Sequence, residues 1–537
     1  MPGRLAVDFG TSNTVVAIWD ESRRQGLSLH LPDYGQQLLS PGADQDTETI
    51  SVIPSVIHYA PGNRRWLGQQ VFSRNLYDSN RTFHGMKRYI GHRSPLKVRL
   101  DGQEVSHFDA GCDFLAAVLG LASAELSDAE EEVALTVPVE AFEHYENWLT
   151  SVAEAAGITR FRLIDEASAA ALGYGAHIQA GQVYLVFDFG GGTLDVALVL
   201  IEEQAAAAVG RRCRVLGKAG ADLGGLTVDQ WLFQEVLRRN GCSDTDDEVR
   251  QVSRALLKEC QRAKEKLSAQ ERADVSVMNP HSGTVLGAEF TRSQFEELLD
   301  RHEALTQINR TIRQAVNAAR ERGYAEEHIN WVLLVGGSSL IPCVQRTVQR
   351  LFGRERVFLQ HPLDAVARGA AAFIAGVDFY DHIQHTYAVR YRDPQKGDYA
   401  FRTLVQRGTP YPTSKPVEHF TVKASYTGQT QLGLAIFEVG DERARGSGAG
   451  QPVELVFDPS GAARVVEVSP EEEDRRRYFW INEHSPTFLT ADPPARQGEP
   501  RFEVEFGIDG NKRLLISARD LKTGRVTHRD YPVVKLV

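Results

Sequence analysis

The sequence predicts an α/β domain made of two related halves, followed by a separate all-β domain. Two similar glycine-containing turns, each opened by Asp-Phe-Gly, occupy residues 8–13 and 188–193. From the first of these turns to about residue 376, strand-like and helix-like segments alternate, which is typical of α/β domains. Beyond residue 376, short segments of alternating polar and apolar residues continue without a long helical segment, and this pattern predicts β-structure.

Each turn is predicted to join the two strands of a β-hairpin, because apolar and β-branched residues flank it on both sides. This order differs from a Walker phosphate loop, which needs a Gly-x-x-x-x-Gly-Lys-Ser/Thr string before a helix, and the sequence contains no such string. Glycines allow the backbone to approach an anion, and successive N–H groups in a turn bind phosphate oxygens. Asp8 and Asp188, at the strand ends, can hold a hydrated Mg²⁺. The two hairpins therefore predict a nucleotide clamp.

The segments between and after the turns predict the remaining elements from their periodicity and their helix-ending residues. In the first half, the predicted strands are Thr49–Tyr59 with a break at Pro54, Arg64–Leu67, Val133–Val137 and Arg162–Ile164, and the predicted helices are Phe108–Leu126, Ala141–Gly157 and Ala167–Tyr174. In the second half, the predicted helices are Asp229–Asn240, Asp246–Ser268, Thr291–Arg322, Gln345–Phe352 and Pro362–Ala375, with a strand at Trp331–Val335. The strands predicted beyond residue 376 include Phe420–Lys423, Gln431–Glu438, Val453–Phe457, Phe502–Phe506 and Arg513–Ala518.

Length, composition and charge restrict the class of protein. A chain of 537 residues exceeds a single hydrophobic core, so about two to four domains are expected. The net charge of −11 argues against nucleic acid and anionic membrane surfaces as partners. The five cysteines are scattered without a Cys-x-x-Cys pair, which argues against a disulfide framework and a structural zinc site. Because we find neither a secretory signal nor an apolar run of membrane-spanning length, we expect a cytoplasmic protein.

Several further strings occur in the order found in one known family. They are Ile53-Pro54-Ser55-Val56-Ile57, Met86-Lys87-Arg88-Tyr89-Ile90-Gly91, Thr136-Val137-Pro138, Asp165-Glu166-Ala167-Ser168-Ala169-Ala170-Ala171, Asp222-Leu223-Gly224-Gly225, Leu333–Ser339 and Asp364–Ala371. Together with the two turns, these strings resemble the motifs of the Hsp70 chaperone family of the DnaK type, from Leu5 to about Gly376. The resemblance implies an actin-like ATPase domain, with the duplicated ribonuclease H-like fold of the actin, Hsp70 and sugar-kinase superfamily. It also implies a peptide-binding β-sandwich after that domain.

The resemblance further implies the residues that bind ATP or ADP with Mg²⁺, with K⁺ as an additional candidate ion. The implied metal-binding residues, acting through water, are Asp8, Asp188 and Asp195. The implied catalytic residues are Lys87, Glu166, Asp195 and Thr193. The implied nucleotide-binding residues are Gly10, Thr11, Ser12, Asn13, Gly190, Gly191, Gly192, Thr193, Gly224, Gly225, Lys264, Ser268, Gly336, Gly337, Ser338 and Asp364.

The chemistry of phosphoryl transfer suits these residue types, because the reaction needs positioning and charge stabilisation more than a covalent nucleophile. By the resemblance, Lys87 would position the attacking water and stabilise charge on the γ-phosphate, and Glu166 would lie near that water and the metal ion. Taken singly, each residue also has a plainer interpretation. These are a turn-capping carboxylate for Asp8 or Asp188, a solvated lysine for Lys87, a carboxylate at a helix N-terminus for Glu166, and part of a solvated helix for Lys264.

The sequence also departs from the family pattern. Val377–Ile383 replaces the family's leucine-rich acidic linker, and Glu146 stands where relatives carry an arginine beside the hinge proline. Leu340 replaces an arginine that stacks on adenine, Gln261 replaces a glutamate, and Leu226 replaces an acidic residue. These changes predict weaker or less selective adenine binding. No segment resembles the family's helical lid, which predicts fast exchange of bound polypeptide.

The predicted organisation is therefore an ATPase domain at 1–376, a linker and first strand at 377–400, and a β-sandwich without a helical lid at 401–537. The predicted function is that of an Hsp70-like chaperone, which couples slow Mg-dependent ATP hydrolysis to the binding of extended polypeptide. Expected partners are an unfolded or extended polypeptide or a dedicated protein client, with a J-domain protein and a nucleotide exchange factor as candidates, and neither nucleic acid nor a membrane.

Other functions remain open at this point. The main alternative is a nucleotide-gated adaptor for one dedicated protein partner, with slow or vestigial hydrolysis; the altered linker, Glu146 and the missing lid favour it. Two further alternatives are a small-molecule kinase and a filament-forming relative of actin. Neither the kinase nor the filament function explains the predicted β region after residue 376.

Overall fold

The computed structural model describes residues 4–42, 47–124, 132–138, 143–158, 160–174, 179, 181–202, 212–375, 383, 385–392, 399–407, 409, 413, 415–439, 453–457, 463–467, 478–483, 486–509 and 513–536. These residues belong to two compact units. Unit 1 comprises those within 1–139, 148–379 and 443–469, and unit 2 comprises those within 140–147, 380–442 and 470–537. The predicted domain boundary at 376–377 lies outside the described residues, as does the predicted linker apart from Ile383.

The part of the chain up to Gly173 contains the first of the predicted hairpins. Its strands are β1 (Arg4–Phe9), β2 (Asn13–Asp20), β3 (Gln25–Ser28), β4 (Gln36–Pro41), β5 (Thr47–Pro54), β6 (Val56–Ala60), β7 (Arg64–Leu67), β8 (Thr82–His84), β9 (Lys97–Leu100), β10 (Gln103–Ser106), β11 (Glu132–Val137) and β12 (Phe161–Asp165). Its helices are α1 (Gln69–Ser73), α2 (Met86–Gly91), α3 (His107–Ala124), α4 (Glu143–Ala155) and α5 (Glu166–Gly173).

The next part of the chain contains the second hairpin and the long helices. Its strands are β13 (Val183–Phe189), β14 (Leu194–Glu202), β15 (Arg212–Ala221), β16 (Arg272–Met278), β17 (Val285–Thr291), β18 (Ile329–Val335) and β19 (Val357–Phe358). Its helices are α6 (Gly225–Asn240), α7 (Asp247–Ala269), α8 (Arg292–Arg301), α9 (Ala304–Arg320), α10 (Pro342–Phe352) and α11 (Ala365–Ile374).

Two sheets of unit 1 share one strand order and one set of strand directions. In the first sheet the order is β3-β2-β1-β11-β12, with β5 and β4 continuing beyond β2, and in the second it is β15-β14-β13-β18-β19. In both, the first three strands are antiparallel and the last two run parallel to the first strand of the hairpin. The predicted hairpins are β1–β2 and β13–β14, which confirms that the Asp-Phe-Gly turns lie at equivalent places in two related sheets.

Helices α5 and α11 pack so closely that two of their positions require glycine. A Cβ atom at Gly173 would overlap the backbone of Ala365, and one at Gly369 would overlap the backbone of Ala169. Alanines fill most of this contact, and they belong to a hydrophobic core that also takes buried side chains from both sheets. The small side chains of these helices therefore join the two sheets of unit 1 through one core.

Beyond residue 383, the described residues form strands and turns and contain no helix. The strands are β20 (Thr386–Arg392), β21 (Tyr399–Val405), β22 (Glu418–Lys423), β23 (Gln429–Leu434), β24 (Ile436–Val439), β25 (Val453–Phe457), β26 (Ala463–Glu467), β27 (Tyr478–Trp480), β28 (Thr487–Ala495), β29 (Pro500–Ile508), β30 (Arg513–Asp520) and β31 (Val526–Lys535). The sheets of unit 2 have the orders β21-β20-β24-β27, β22-β29-β30-β31 and β23-β28, and alternate residues of these strands form its apolar core.

Two predicted elements are wrong in their continuity. The helix predicted over Thr291–Arg322 is divided into α8 and α9, because Glu303 has a left-handed backbone with φ of 55°. The strand predicted over Gln431–Glu438 is divided at Ala435 into β23 and β24, which pair in different sheets. None of the helices in the described residues has the length and apolar character needed to cross a membrane.

Candidate functional site

The two glycine-containing turns lie against each other in unit 1. A Cβ atom added at Gly191 would overlap the Ser12 hydroxyl, and one added at Gly192 would lie 2.7 Å from Thr11 Oγ1. Because only glycine lacks a Cβ, the side chains of the first turn occupy space that the second turn leaves open. The structure therefore brings these four predicted residues together at one site.

Ser55, in the junction between β5 and β6, supports the first turn. Its Oγ donates to the Gly10 carbonyl oxygen at 2.8 Å, and its backbone N–H donates to the Ser12 carbonyl oxygen at 2.9 Å. Asn13 follows directly as the first residue of β2. The outgoing end of this turn is thus fixed to a neighbouring segment of chain, while its hydroxyl side chains face the second turn.

The second turn is supported by the start of α6 and by the loop after β18. The Gly190 carbonyl oxygen accepts from Gly225 N at 3.0 Å and from Ser338 Oγ at 2.9 Å. A Cβ atom at Gly224 would overlap the backbone of Gly192, so this approach also requires glycine. The predicted residues Gly224, Gly225 and Ser338 therefore lie beside the second turn.

Gly336 and Gly337 place the loop after β18 next to the end of β13. Gly336 has φ of +83°, and a Cβ atom there would overlap the Phe189 carbonyl oxygen and lie 2.6 Å from Asp188 Oδ1. A Cβ atom at Gly337 would lie 3.4 Å from the Leu363 side chain, in ordinary van der Waals contact. Both the conformation and the space at Gly336 exclude a side chain.

Charged side chains gather behind the turns. Lys87 Nζ, on α2, lies 2.5 Å from Glu166 Oε1, the first residue of α5, and both side chains are largely buried. Asp8, near the end of β1, accepts a hydrogen bond from Thr136 Oγ1 at 2.7 Å. The structure thus brings Lys87 and Glu166 together, as predicted, from positions 79 residues apart in the chain.

Two further predicted carboxylates face each other across the second hairpin. Asp188 and Asp195 are register partners in β13 and β14. Asp195 Oδ2 accepts a hydrogen bond from Thr193 Oγ1 at 2.6 Å, which fixes the orientation of both side chains. These residues complete a group of acidic side chains to which Asp8 and Glu166 also belong.

Burial raises the pKa values of Glu166, Asp188 and Asp8, and repulsion between carboxylates adds to the increase at Glu166 and Asp188. Burial is the largest influence on Glu166 and raises its pKa to about 7, although the Lys87 charge acts in the opposite direction. The pKa of Asp188 is raised well above its ordinary value by burial, and then by the charges of Glu166, Asp195 and Asp8. The pKa of Asp8 is also raised by burial, against the effects of Lys87 and Thr136. A bound cation would relieve this repulsion.

The donor set fits a hydrated Mg²⁺ better than a directly ligated metal ion. Within the described part of the chain, no three His, Cys, Asp or Glu side chains are arranged to hold a metal ion. Mg²⁺ usually keeps several of its waters and is bound by one or two carboxylates together with phosphate oxygens. Asp8 and Asp188, at the ends of equivalent strands, are suited to bind such an ion through water.

Lys264 and Ser268 lie on α7 beside this site. Lys264 Nζ donates to Asp229 Oδ2 and to the Gly225 carbonyl oxygen, both at 3.0 Å. Ser268 Oγ donates to the Lys264 carbonyl oxygen at 3.2 Å, within its own helix. Burial raises the pKa of Asp229 to about 6, while the Lys264 charge lowers it. The ammonium of the predicted Lys264 therefore reaches from α7 to the start of α6, where it is paired with a buried carboxylate.

Asp364, just before α11, lies in a second buried charged group. Its Oδ2 is 3.5 Å from Arg368 Nη1, and its Oδ1 is 3.7 Å from His361 Nδ1. Burial raises the pKa of Asp364 to about 6, and Arg368 opposes this increase. The structure thus places Asp364 with residues of its own segment, a partnership that the sequence analysis did not predict.

Three residues that contact the site were missing from the predicted set. Ser55 bonds to the first turn, Thr136 bonds to Asp8, and Asp229 bonds to Lys264. Ser55 and Thr136 both stand in strings that resemble family motifs, and this was a signal for including them. Asp229 is four residues after Gly225, one helical turn away, which is a weaker signal.

Comparisons with known proteins agree with the resemblance found in the sequence. The family model described as Hsp70 protein matches residues 5–444. The chaperone protein DnaK of Deinococcus proteolyticus is 26% identical over an alignment that covers 98% of this chain and 78% of that protein. The chaperone proteins DnaK of Thermotoga petrophila and Thermotoga maritima are each 28% identical, over 97% of this chain and 79% of their own length.

The family model spans both hairpins, the acidic group with Lys87, and part of the β region. The alignments with the DnaK proteins cover nearly the whole chain. This chain belongs to the Hsp70 protein family.

Proposed function

We propose that this protein is an ATP-hydrolysing chaperone, in which Mg-dependent nucleotide binding in unit 1 controls the binding of extended polypeptide by a β-sandwich in unit 2. The observation that carries the proposal is the contact of the two glycine-containing turns beside a buried acidic group that includes Lys87. The relatives named chaperone protein DnaK support the chaperone part of the proposal. The duplicated sheet order supports the actin-like fold that the family resemblance implies.

In this proposal, the turns bind the phosphate groups. Backbone N–H groups of residues 10–13 and 191–193 face the phosphate oxygens from opposite sides, with Thr11 and Ser12 adding hydroxyl donors. Gly190, whose own N–H donates to the Thr193 carbonyl oxygen at 3.1 Å, closes the second turn beside the phosphates. Gly224, Gly225, Gly336, Gly337, Ser338, Lys264, Ser268 and Asp364 are the proposed residues of the nucleoside side. A Mg²⁺ ion held through water by Asp8, Asp188 and Asp195 neutralises charge on the phosphate oxygens when it is bound.

Lys87 and Glu166 are proposed to act on the attacking water. Lys87 Nζ donates to the water and stabilises negative charge on the γ-phosphate, and Glu166 Oε1 holds Nζ in place across 2.5 Å. Asp195 is the proposed proton acceptor, with Thr193 holding its Oδ2. Positioning and charge stabilisation supply most of the catalysis in phosphoryl transfer, so no covalent intermediate with the protein is needed.

The proposed partners are extended or unfolded polypeptides, with a J-domain protein and a nucleotide exchange factor as regulators, in the cytoplasm. Support comes from the alignment with DnaK proteins, which covers the strands of unit 2 as well as unit 1. Because the linker is replaced and Glu146 stands in place of an arginine, we expect weak coupling between polypeptide binding and ATP hydrolysis.

Steady-state ATP turnover with and without an unfolded peptide tests the proposal. The parent protein should hydrolyse ATP slowly and faster with peptide, and Lys87→Ala should lower turnover by about 100-fold. Lys97→Ala is the matched control, because Lys97 is an exposed lysine paired with Glu104. Turnover that is indifferent to peptide would favour the nucleotide-gated adaptor. Parent-like turnover of Lys87→Ala would contradict the proposed site.

A further inference from the structure

The sheet β21-β20-β24-β27 of unit 2 has an aromatic face. Its residues are Phe401, Phe437, Tyr478 and Trp480, from three of the four strands. The Phe401 ring stacks on Tyr478 with 3.9 Å between the ring centroids, and it meets the Phe437 ring edge to face at 5.1 Å. Phe437 in turn stacks on Trp480 at 5.9 Å. The four rings therefore form one continuous surface.

Arg390, on the inner strand β20, lies on this aromatic face. It is the register partner of Phe401 in β21, and the side chains of paired residues lie on the same side of a sheet. Its guanidinium carbon is 5.0 Å from the Phe437 ring, 5.2 Å from the Trp480 ring and 4.7 Å from the exposed Tyr399 ring. Aromatic rings attract a cation through their electron-rich faces, but they carry no formal negative charge.

The charge of Arg390 is not balanced by a carboxylate among the residues that the structure describes. Its side chain forms neither an ion pair nor a hydrogen bond with any of them. On the neighbouring strand, Arg402 lies 4.9 Å from the Phe420 ring and also forms a hydrogen-bonded ion pair with Glu418. A guanidinium binds a carboxylate through two parallel N–H donors. Arg390 is therefore suited to a carboxylate that a bound molecule supplies.

An apolar side chain can bind beside that carboxylate. The Phe437 ring contacts both the Arg390 guanidinium, at 5.0 Å, and the Phe401 ring of the stacked pair, at 5.1 Å. Side chains two residues apart on an extended chain point in the same direction and are separated by about 7 Å. One extended segment can therefore place a carboxylate on Arg390 and an apolar side chain on the stacked rings.

We propose that the aromatic face with Arg390 binds extended polypeptide segments that carry Asp or Glu two residues away from an apolar side chain. The proposal names the class of polypeptide, and it rests on the proposed polypeptide binding by unit 2. It gives a preference for acidic over neutral segments, although the chain itself has a net charge of −11. The arginine supplies the charge preference, and the rings supply the apolar contact.

Fluorescence anisotropy with the full chain and labelled heptapeptides tests this class of polypeptide. The peptides, in one-letter code, are SLEALLS, its neutral counterpart SLQALLS, and SLEASLS, which lacks the apolar side chain two residues after the acid. The parent protein should bind SLEALLS about tenfold more tightly than either of the other two. This is the expected contribution of one charge-assisted hydrogen-bonded pair or of one buried leucine. The comparison needs no variant of the protein.

Arg390→Gln should remove the charge preference. It should bind SLEALLS and SLQALLS equally, with the affinity that the parent protein shows for SLQALLS. Arg402→Gln is the matched control, because Arg402 also contacts a ring of unit 2 but already has Glu418 as its partner. This control should keep the preference of about tenfold, so the double-mutant cycle assigns the loss to Arg390 and the peptide carboxylate.

Equal affinity of the parent protein for SLEALLS and SLQALLS, or an unchanged preference in Arg390→Gln, would overturn this class of polypeptide. Parent-like binding of SLEASLS would overturn the apolar part of it. A labelled unfolded protein, reduced and carboxamidomethylated α-lactalbumin, separates these results from failure of the proposed function. A parent protein that binds the unfolded protein without preferring SLEALLS contradicts the class alone, whereas one that binds neither the unfolded protein nor the peptides contradicts polypeptide binding by unit 2.

Discussion

The two turns join equivalent strands, but the first carries hydroxyl side chains where the second has only glycines. The first has a single glycine followed by Thr11 and Ser12, whereas the second has three consecutive glycines. The hydroxyl groups of the first turn occupy the space that Cβ atoms would need at Gly191 and Gly192. Two related halves have therefore become complementary: one supplies side-chain donors, and the other supplies bare backbone that can approach the same ligand.

The two turns also differ in the parts of the chain that donate hydrogen bonds to them. Gly10 accepts a hydrogen bond from one side chain, that of Ser55, in the adjacent strand junction. Gly190 accepts from both Ser338 and the backbone of Gly225, so the second turn is tied to a helix and to a loop. The first turn is thus supported by one residue, Ser55, and the second is supported by the start of α6 and by the loop after β18.

A side chain added at Gly191, in the space between the two turns, should give the largest effect. Gly191→Ala places a methyl group against the Ser12 hydroxyl, so either this hydroxyl must rotate away or the turns must separate. Overpacking of this kind typically costs about 1–3 kcal/mol, so we expect ADP affinity to fall by up to about 100-fold. Calorimetric titration with Mg-ADP measures the change.

A second substitution can separate this steric effect from loss of the glycine itself. Ser12→Ala in the Gly191→Ala background removes the clashing hydroxyl and leaves the Ser12 Cβ at 3.4 Å. Because Ser12 is also a proposed phosphate donor, Ser12→Ala alone is the reference for the double variant. Gly191→Ala should cost less affinity in the Ser12→Ala background than in the parent protein. An equal cost in both backgrounds would mean that contact between the turns is not the reason for the glycine.

Glu166→Gln should have an intermediate effect, which is a change in how the free energy of unfolding depends on pH. The pKa of Glu166 is raised from 4.5 to about 7, mainly by burial, so the folded protein holds this proton more tightly than the unfolded chain does. The resulting stabilisation is complete below pH 4.5 and is lost as the pH rises to about 7. Glutamine does not titrate, so the variant does not lose this stabilisation. Between pH 4.5 and about 7, the free energy of unfolding of the variant should therefore increase by about 2 kcal/mol relative to that of the parent.

Chemical denaturation without nucleotide or Mg²⁺ measures this difference. Glu154→Gln, on the exposed side of α4, is the control and should follow the parent at every pH. Parallel pH profiles for the parent and Glu166→Gln would mean that this carboxyl is not held in a setting that favours its neutral form.

The smallest effect should come from the two supporting serines. Ser55→Ala removes the hydrogen bond to Gly10, and we expect a loss of about 1 kcal/mol in stability and about threefold in ADP affinity. Ser338→Ala should lose less, because Gly225 N still donates to the Gly190 carbonyl oxygen. Thermal unfolding and Mg-ADP titration check both variants. A larger loss for Ser338→Ala than for Ser55→Ala would mean that the second turn depends more than the first on a single serine hydroxyl.

The sequence was sufficient to predict the features that depend on local pattern. Both hairpins have apolar β-branched strands around a glycine turn, and both form as predicted. The alanine-rich sequence of α5 also agrees with its close packing against α11, which Gly173 and Gly369 allow. Lys87 and Glu166 were placed together only through the family resemblance, because nothing in their own surroundings connects them.

Features that depend on distant contacts could not be predicted. Thr136 donates to Asp8 across 128 residues of sequence, and neither residue indicates the other. The break at Glu303 between α8 and α9 has no glycine or proline to mark it. Asp364 is paired with Arg368 at one helical turn, but only the fold determines that both are buried. In each case tertiary packing decides what local pattern leaves open.

We expect Asp8 and Asp188, at the ends of equivalent strands, to hold one Mg-nucleotide between the two turns. Calorimetric titration of ADP with and without Mg²⁺, on the parent protein and on Asp8→Asn and Asp188→Asn, measures this binding. The parent should bind ADP more tightly with Mg²⁺, and each variant should bind ADP only as weakly as the parent does without Mg²⁺. ADP binding that is independent of Mg²⁺, or that is unchanged in both variants, would show that these carboxylates do not hold the ion.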